Sequence, residues 1–275
     1  MPSEYWDEKL AERLRQFRYE FPEKTLAGKT VIVAGGTGGL GSALVALLAR
    51  EGARLIVGYR WNRERAEALR LAIREQFGAA IDMVAGDIAE PAVIEEYAAA
   101  VQKTGGSLAG AAIFPGDPAR VALEALTRET MAASLESNYV GPVLLAKRLG
   151  ELMEASTEGG NIVVLATMQA VAPFSSSVNY AAPKAALLHA ALILALQWKK
   201  VCVNVVAPGA TVAGMAESSV RSGKYDRHIT SGAISRFGRP EDVARAVRFF
   251  LEPDQYVNAQ VLVVDGGLTI RRDRG

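Results

Sequence analysis

The chain has 275 residues, of which 50% are hydrophobic and 22% are charged, so it can bury one large core. Its net charge of +1 argues against a nucleic-acid or acidic-membrane surface, because both need clustered lysine and arginine in excess. The longest apolar run is shorter than the roughly 20 residues that cross a bilayer. Since the start of the chain also lacks the pattern of a secretory signal, we expect a cytoplasmic protein without nucleic-acid or membrane partners.

The first 26 residues differ from the rest of the chain in their apolar pattern. Large apolar side chains recur there at steps of three and four residues, which predicts one amphipathic helix. This N-terminal helical extension, residues 1–26, precedes a domain over residues 27–275. The helix packs either on its own domain or on a neighbouring subunit. Its apolar stripe consists of Trp6, Leu10, Leu14, Phe17 and Phe21.

Beyond the extension, short β-rich apolar runs alternate with helical patterns. Near-continuous valine and isoleucine runs are typical of strands that are covered on both faces. Strand and helix repeated about six times predict an α/β fold, a single Rossmann-type doubly wound parallel sheet of about seven strands. The strand runs are "KTVIVAG", "ARLIVGY", "IDMVAGD", "GAAIF", "NIVVLAT", "VCVNVVAP" and "QVLVVDGG".

A glycine-rich turn follows the first strand and precedes the helical run "SALVALLAREG". Glycines allow a backbone to approach a pyrophosphate, and the N-terminus of the helix offers free N–H groups and partial positive charge. A tight turn without a ligand would also need glycine, so the strand before and the helix after carry the prediction. The predicted dinucleotide-binding residues are Gly35, Thr37, Gly38, Gly39, Leu40 and Gly41.

The tip of the second strand indicates which dinucleotide is bound. An acidic residue there would bind the ribose 2′-hydroxyl and repel a 2′-phosphate. The chain has Tyr59 and Arg60 instead. Because a guanidinium can pair with a 2′-phosphate, NADP(H) is favoured over NAD(H), unless Arg60 is a solvated surface arginine. After the third strand, Asp87 and Ile88 are placed to reach the adenine, although Asp87 could instead cap the following helix.

Tyr180 and Lys184 are four residues apart at the start of a long apolar segment. On a helix they share one face, and a nearby ammonium would lower the pKa of the tyrosine toward the working range of a general acid or base. Pro183 is tolerated only near a helix start. We therefore expect the helix to begin just before Tyr180, with its N-cap within residues 175–177. His189, further along this segment, is expected to pack in the core.

The chain resembles the short-chain dehydrogenase/reductase family, and most closely its 3-oxoacyl-carrier-protein reductases. The resemblance implies that Tyr180 is the general acid/base and that Lys184 also binds the nicotinamide ribose. Asn138 would hold a water of the proton relay, and Pro208 and Gly209 would lie beside the nicotinamide. The matching stretches are "AGGTGGLG", "AGDI", "ESNYVGP", "NYAAPKAAL", "VNVVAPG", "RFGRPEDVA" and "VLVVDGG".

Three positions depart from the family pattern. Thr167 replaces the substrate-orienting serine, residues 113–116 replace an Asn-Asn-Ala-Gly loop, and Pro183 replaces a small polar residue. The changed loop predicts weaker side-chain support for the cofactor site. A long polar segment, residues 211–238, could cover the site. Its candidate substrate contacts are Met215, Tyr225 and His228. The alternative is that these three side chains are simply exposed.

The resemblance predicts an NADP(H)-dependent oxidoreductase that reduces a ketone, such as a 3-oxoacyl group, to a secondary alcohol. The alternative is a cofactor-binding relative with weak catalysis that serves as a sensor or structural subunit. An enoyl reductase is disfavoured, because that branch spaces its tyrosine and lysine more widely. The final strand should lie at a sheet edge, and a homodimer or homotetramer is expected. The histidines and the cysteine do not form a cluster in the sequence, so no metal site is predicted.

Overall fold

The structure is a computed structural model that describes residues 3–175 and 177–271. Seven strands form one sheet in the order β3-β2-β1-β4-β5-β6-β7, and every neighbouring pair is parallel. This confirms the predicted doubly wound sheet. The strands are β1 Thr30–Ala34, β2 Arg54–Tyr59, β3 Ile81–Ala85, β4 Leu108–Ile113, β5 Gly160–Leu165, β6 Val201–Pro208 and β7 Val261–Val264.

Helices cover both faces of this sheet. A π-helical turn, Glu136–Val140, joins the fifth helix to the sixth. The α-helices are α1 Glu8–Arg15, α2 Gly41–Arg50, α3 Arg63–Phe77, α4 Pro91–Lys103, α5 Arg128–Leu135, α6 Gly141–Ala155, α7 Met168–Val171, α8 Val178–Leu194, α9 Glu217–Arg221, α10 Arg227–Thr230, α11 Pro240–Phe250 and α12 Leu268–Arg271. No helix in the described ranges is long and apolar enough to span a bilayer.

The core consists of two apolar layers on opposite faces of the sheet. Val31 and Val33 pack in the layer with α2 and α11, whereas Ile32 lies in the layer with α4, α6 and α8. Successive strand residues therefore all lose contact with water, which explains the near-continuous apolar runs. The strand order reverses between β1 and β4, and such a reversal opens a crevice at the carboxyl ends of the strands, where ligands of this fold class bind.

The N-terminal extension differs from its prediction. Helix α1 begins after the N-cap Asp7 and ends at Arg15, and Phe17 adopts a positive φ of 55°. Phe17 and Phe21 therefore lie outside the helix, and no residue of α1 is buried. Packing on its own domain is therefore not what the structure shows. The helix ends before Phe17 because Phe17 takes a left-handed backbone conformation, and the N–H groups of Phe17 and Arg18 donate to Leu14 O and Arg13 O to close the last turn.

Helix α8 also corrects two expectations. It begins at Val178, as predicted, with Ser177 at the N-cap, although the Ser177 hydroxyl donates to Phe174 O and caps no helical N–H; Ser176 lies outside the described residues. Pro183 is the sixth helical residue and lies near the helix start, as expected, in the second turn. His189 is exposed and does not pack in the core.

Strand β7 pairs with β6 alone among the described strands and forms one edge of the sheet, as predicted. The segment over residues 211–238, which we call the lid, follows β6 and contains α9 and α10.

Candidate active site

The glycine-rich turn connects β1 to α2. Gly35 adopts a positive φ of 72°, and a Cβ on Gly36 would lie 2.7 Å from Val57 Cγ1, so the turn itself needs these two glycines. Elsewhere the turn leaves donors available. Within the described chain, the N–H groups of Gly39 and Leu40 donate to no other protein group. Free N–H groups at the N-terminus of a helix suit an anion, and the turn therefore fits a dinucleotide phosphate.

Arg65, which no sequence motif singled out, lies beside this turn. Its Nε donates to Thr37 O at 2.6 Å, which brings a guanidinium from the first turn of α3 to the phosphate-binding loop. A signal was present in the run "NRERA", but a basic first turn of a helix is common on protein surfaces. Arg65 is distinguished from the other arginines of this run only by the packing of α3 against α2.

Arg60 lies at the tip of β2, where the sequence placed it. Its guanidinium is 3.4 Å from Asp87 Oδ2 and 5.3 Å from the centre of the Trp61 ring. Asp87 is not the N-cap of α4, because Glu90 occupies that position. The Oδ1 of Asp87 accepts from the N–H of Ala89. Arg60 and Asp87 therefore form one charged pair at the adjacent ends of β2 and β3.

A cavity of about 570 Å³ lies at the carboxyl ends of β4, β5 and β6. The structure brings the predicted Thr167, Tyr180 and Lys184 together in its wall, and Pro208 and Gly209 line it as well. The lid closes one side of this cavity. Its three candidate contacts, Met215, Tyr225 and His228, all line the cavity, and His228 is buried.

Tyr180 projects from the first turn of α8 into the cavity. Thr167 follows β5 as the N-cap of α7, where its Oγ1 accepts from the N–H of Gln169 at 3.3 Å, and its side chain lies beside Tyr180 in the cavity wall. Burial raises the pKa of Tyr180 to about 12, although the Thr167 contact acts in the opposite direction. The threonine that replaces the family's serine therefore still places its hydroxyl at the tyrosine.

Lys184 contradicts one expectation about this pair. Its Nζ donates to Leu165 O at 3.1 Å and to Pro115 O at 3.3 Å. Burial lowers the pKa of Lys184 to about 7. The net direction of the Tyr180 pKa is therefore upward and not downward as expected, because burial of the phenol is the largest effect on it.

Asn138 lies on the π-helical turn and is fully buried. Its Oδ1 accepts from the N–H of Asp117 at 3.1 Å, and its Nδ2 donates to Asp117 O at 3.0 Å. A Cβ on Gly116 would lie 2.7 Å from Asn138 Oδ1 and 3.0 Å from Lys184 Nζ. Lys184 therefore holds the altered loop over residues 113–116 at Pro115 O, and Asn138 holds the next residue, Asp117, through its backbone.

Pro183 has a specific partner that the sequence did not reveal. A proline at this position cannot donate to the carbonyl four residues earlier, which belongs to Asn179. The hydroxyl of Ser134 donates to this carbonyl and also accepts from Asn138 Nδ2 at 3.1 Å. Ser134, 3% exposed, therefore joins the helix of Tyr180 and Lys184 to Asn138.

A double-mutant cycle tests this connection. Ser134→Ala should destabilise the protein by about 1–3 kcal/mol, because it leaves the buried Asn179 carbonyl without a donor. In a Pro183→Ala background the loss should be smaller by about 1 kcal/mol, since the introduced alanine would supply the missing N–H. Denaturant unfolding of the four proteins measures both values. Equal losses in the two backgrounds would contradict the connection, and Ser156→Ala is a control, because the Ser156 hydroxyl donates to Met153 O instead.

Arg120 attaches the lid to the body of the domain. Its guanidinium donates to Ser218 Oγ at 2.8 Å and to the Met215 carbonyl. No sequence motif marked Arg120, because its partners lie about 95 residues further along the chain.

In the described part of the chain, no three His, Cys, Asp or Glu residues are grouped in a way that could hold a metal ion.

Fold and site together define a dinucleotide-binding oxidoreductase with a cavity beside the switch point of a parallel sheet. Residues 34–269 match the family described as enoyl-(acyl carrier protein) reductase. The chain is also 30% identical over 243 residues to the 3-oxoacyl-(acyl-carrier-protein) reductase FabG of Aggregatibacter actinomycetemcomitans, covering 87% of this chain and 99% of the relative. The chain therefore belongs to the short-chain dehydrogenase/reductase family, whose members bind NAD(P) and act on CH–OH or carbonyl groups.

Other relatives differ in the substrates that their names give. The 3beta-hydroxysteroid dehydrogenase 1 of Eggerthella lenta is 31% identical over 259 residues, covering 89% of this chain and 95% of the relative. Among solved structures, an actinorhodin polyketide ketoreductase variant with NADPH is similar with a TM-score of 0.79 at 26% identity, covering 88% of this chain and 97% of the other. Family membership thus establishes the type of chemistry and leaves the substrate open.

Proposed function

We propose that the protein is an NADP(H)-dependent reductase that converts a ketone, such as a 3-oxoacyl group, to a secondary alcohol, with Tyr180 as general acid. The observation that carries this proposal is the meeting of Thr167, Tyr180 and Lys184 in one cavity at the switch point of the sheet. This cavity lies beside Leu40 of the glycine-rich turn, so one ligand could reach both places.

The residues at the switch point fit a nicotinamide dinucleotide. The free N–H groups of Gly39 and Leu40 would hold the pyrophosphate, Asp87 and Ile88 the adenine, and Lys184, Pro208 and Gly209 the nicotinamide end. When bound, the cofactor supplies a hydride to the carbonyl carbon. The 3.1 Å and 3.3 Å contacts of Lys184 to carbonyl oxygens hold its Nζ at the cavity wall within reach of a ribose hydroxyl.

The side chains have separate roles at the carbonyl oxygen. Tyr180 donates the proton, and Thr167 donates a second hydrogen bond that strengthens as negative charge develops on that oxygen. Lys184 stabilises the tyrosinate that remains after the transfer. Asn138 holds the loop that contacts Lys184 and orders the proton path behind it.

The oxidation of NADPH in the presence of a panel of 3-ketoacyl thioesters and cyclic ketones tests the proposal. We expect substrate-dependent oxidation with at least one member of the panel and none without a ketone. Tight NADPH binding without turnover on any ketone would favour the alternative, a cofactor-binding relative with weak catalysis. The spacing of four residues between Tyr180 and Lys184 argues against reduction of an enoyl substrate, which the same assay can include.

The preference for NADP(H) depends on Arg60. Arg60→Ala should weaken NADPH binding by roughly tenfold and NADH binding by much less, because only NADPH carries a 2′-phosphate for a charge-assisted hydrogen bond. Titration of both cofactors measures the two losses. Arg63→Ala is the control, since Arg63 is an exposed arginine at the nearby start of α3. If the Arg60 variant lost equal affinity for both cofactors, Arg60 would not recognise the phosphate.

The assembly is proposed to be a homodimer or homotetramer. The edge strand β7 and the apolar side chains of the extension, of which Trp6 is 55% exposed and Leu10 42% exposed, would be covered by another subunit. Light scattering on the full chain should give two or four subunits, and a version starting at Thr25 should assemble less tightly. A monomeric full-length chain would refute the oligomer, and unchanged assembly of the short version would exclude the extension from its interface.

A further inference from the structure

The charges that line the cavity have one sign. Among the described residues in its wall there are four basic side chains, Arg120, Lys184, Lys224 and Arg227, and no aspartate or glutamate. The chain as a whole has 31 basic and 30 acidic residues, so the excess of basic side chains is local to the cavity. A cleft lined by one sign of charge attracts a ligand of the opposite sign.

Two of these cations already have partners in the protein. Lys184 donates to backbone carbonyls and belongs to the reacting group. Arg120 donates to Ser218 Oγ and to the Met215 carbonyl. The contacts of Arg120 attach the lid to the domain. The other two cations, Lys224 and Arg227, lie on the lid itself.

Lys224 and Arg227 have no carboxylate partner in the described ranges, and other arginines nearby do. In the same lid Arg221 pairs with Glu217 at 2.9 Å, and Arg236 pairs with Asp242 at 2.7 Å. The Lys224 Nζ lies 6.0 Å from the centre of the Tyr225 ring. Lys224 and Arg227 are therefore available at the cavity for charge-assisted hydrogen bonds to an anion.

The position of this pair relative to the reacting groups comes from Tyr225 and His228. Their rings stack with centres 6.1 Å apart. Burial raises the pKa of Tyr180, and the nearby Tyr225 adds to that rise. Burial also lowers the pKa of His228, and the charge of Arg227 adds to that lowering. Tyr225 and His228 therefore line the same cavity as Tyr180 and the two lid cations.

We propose that the cavity selects a ketone or alcohol that carries an anionic group, a carboxylate or a phosphate, at the end remote from the reacting carbon, and that Lys224 and Arg227 bind this group. The inference rests on the proposed reductase function and names its substrate class. Both side chains are exposed at the mouth of the cavity, so the anion would enter last and keep part of its hydration.

Calorimetric titration of the NADP⁺-saturated protein tests the anion site without turnover. The probes are 5-oxohexanoate, 5-oxohexyl phosphate and the neutral methyl ester of 5-oxohexanoate. We expect at least one anion to bind about tenfold more tightly than the ester, equivalent to about 1.4 kcal/mol, and the stronger of the two identifies the group. A Lys224→Gln/Arg227→Gln double variant should lose this preference, whereas Arg221→Gln, with a paired cation of the same lid, should keep it.

Several outcomes would overturn the inference. These are equal binding of ester and anions, no binding of any probe, or a preference that survives the double variant with an unchanged thermal midpoint. The wild-type comparison stands even if the double variant fails to fold. NADPH oxidation with the same probes separates the two proposals: an anion that binds and is never reduced refutes the reductase, and an ester reduced as efficiently as the anions refutes the anion site.

Discussion

Tyr180→Phe is expected to lower turnover by roughly 10²- to 10⁴-fold, which is the range that a positioned general acid contributes. The phenyl ring keeps the packing of the tyrosine at the start of α8, and only the proton donor is removed. NADPH affinity should therefore stay within about twofold of the wild type. Steady-state kinetics together with cofactor titration measures both quantities.

A comparison with Tyr225→Phe makes this test specific. Tyr225 lines the same cavity, but it lies on the lid and not on α8, where Tyr180 and Lys184 share one helix. Loss of its hydroxyl should change KM more than kcat, because it removes a contact that is made equally in the ground state and transition state. Turnover in Tyr180→Phe equal to that of the wild type would end the assignment of Tyr180 as general acid.

Lys184→Met is expected to lower turnover by at least about 10²-fold and to weaken cofactor binding, since Lys184 is proposed to serve both the tyrosine and the ribose. The substitution also changes how stability depends on pH. The folded protein holds the pKa of Lys184 at about 7, against about 10.4 for a solvated lysine. Between these values the unfolded chain binds more protons, so the wild type loses stability as the pH falls from about 10 to about 7.

Methionine does not titrate, so Lys184→Met should escape this loss. As the pH falls from 9 to 7, the free energy of unfolding of the variant should rise by about 2 kcal/mol relative to that of the wild type. The lost bonds to Pro115 O and Leu165 O lower the stability of the variant by a similar amount at every pH, so they do not change this difference. Denaturant unfolding of the cofactor-free proteins measures the difference. Lys147→Met is the control, because Lys147 is exposed and pairs with Glu151 on the surface of α6. A relative stability that stays flat or falls toward pH 7 would show that burial leaves the Lys184 pKa unchanged.

Several features of this protein could be predicted because they depend on short stretches of chain. The valine and isoleucine runs of the strands, the glycines between β1 and α2, and the spacing of Tyr180 and Lys184 are all local patterns. Each combines with the regular repeat of the sheet, so the carboxyl ends of the strands bring them together. The family resemblance added Asn138 and Thr167, whose roles no local pattern indicates and which stay predictions until tested.

The outcome for Pro183 shows where local rules end. The sequence correctly identified a problem, a proline between Tyr180 and Lys184, and placed that proline near the start of the helix. The structure keeps Pro183 in the second turn and gives the free Asn179 carbonyl a donor from Ser134, 45 residues earlier in the chain. A donor at that distance in sequence is brought near only when α5 packs against α8.

By itself, the sequence determined the sheet, the dinucleotide turn and the pair of residues proposed to transfer the proton, because periodicity and spacing follow from backbone geometry. The tertiary structure alone decided the state of the site: the raised pKa of Tyr180, the lowered pKa of Lys184 and the unpaired cations of the lid. It also decided that the N-terminal stripe is exposed. The physical reason is that desolvation and charge pairing depend on which distant residues meet, and these interactions fall off within a few ångströms of contact.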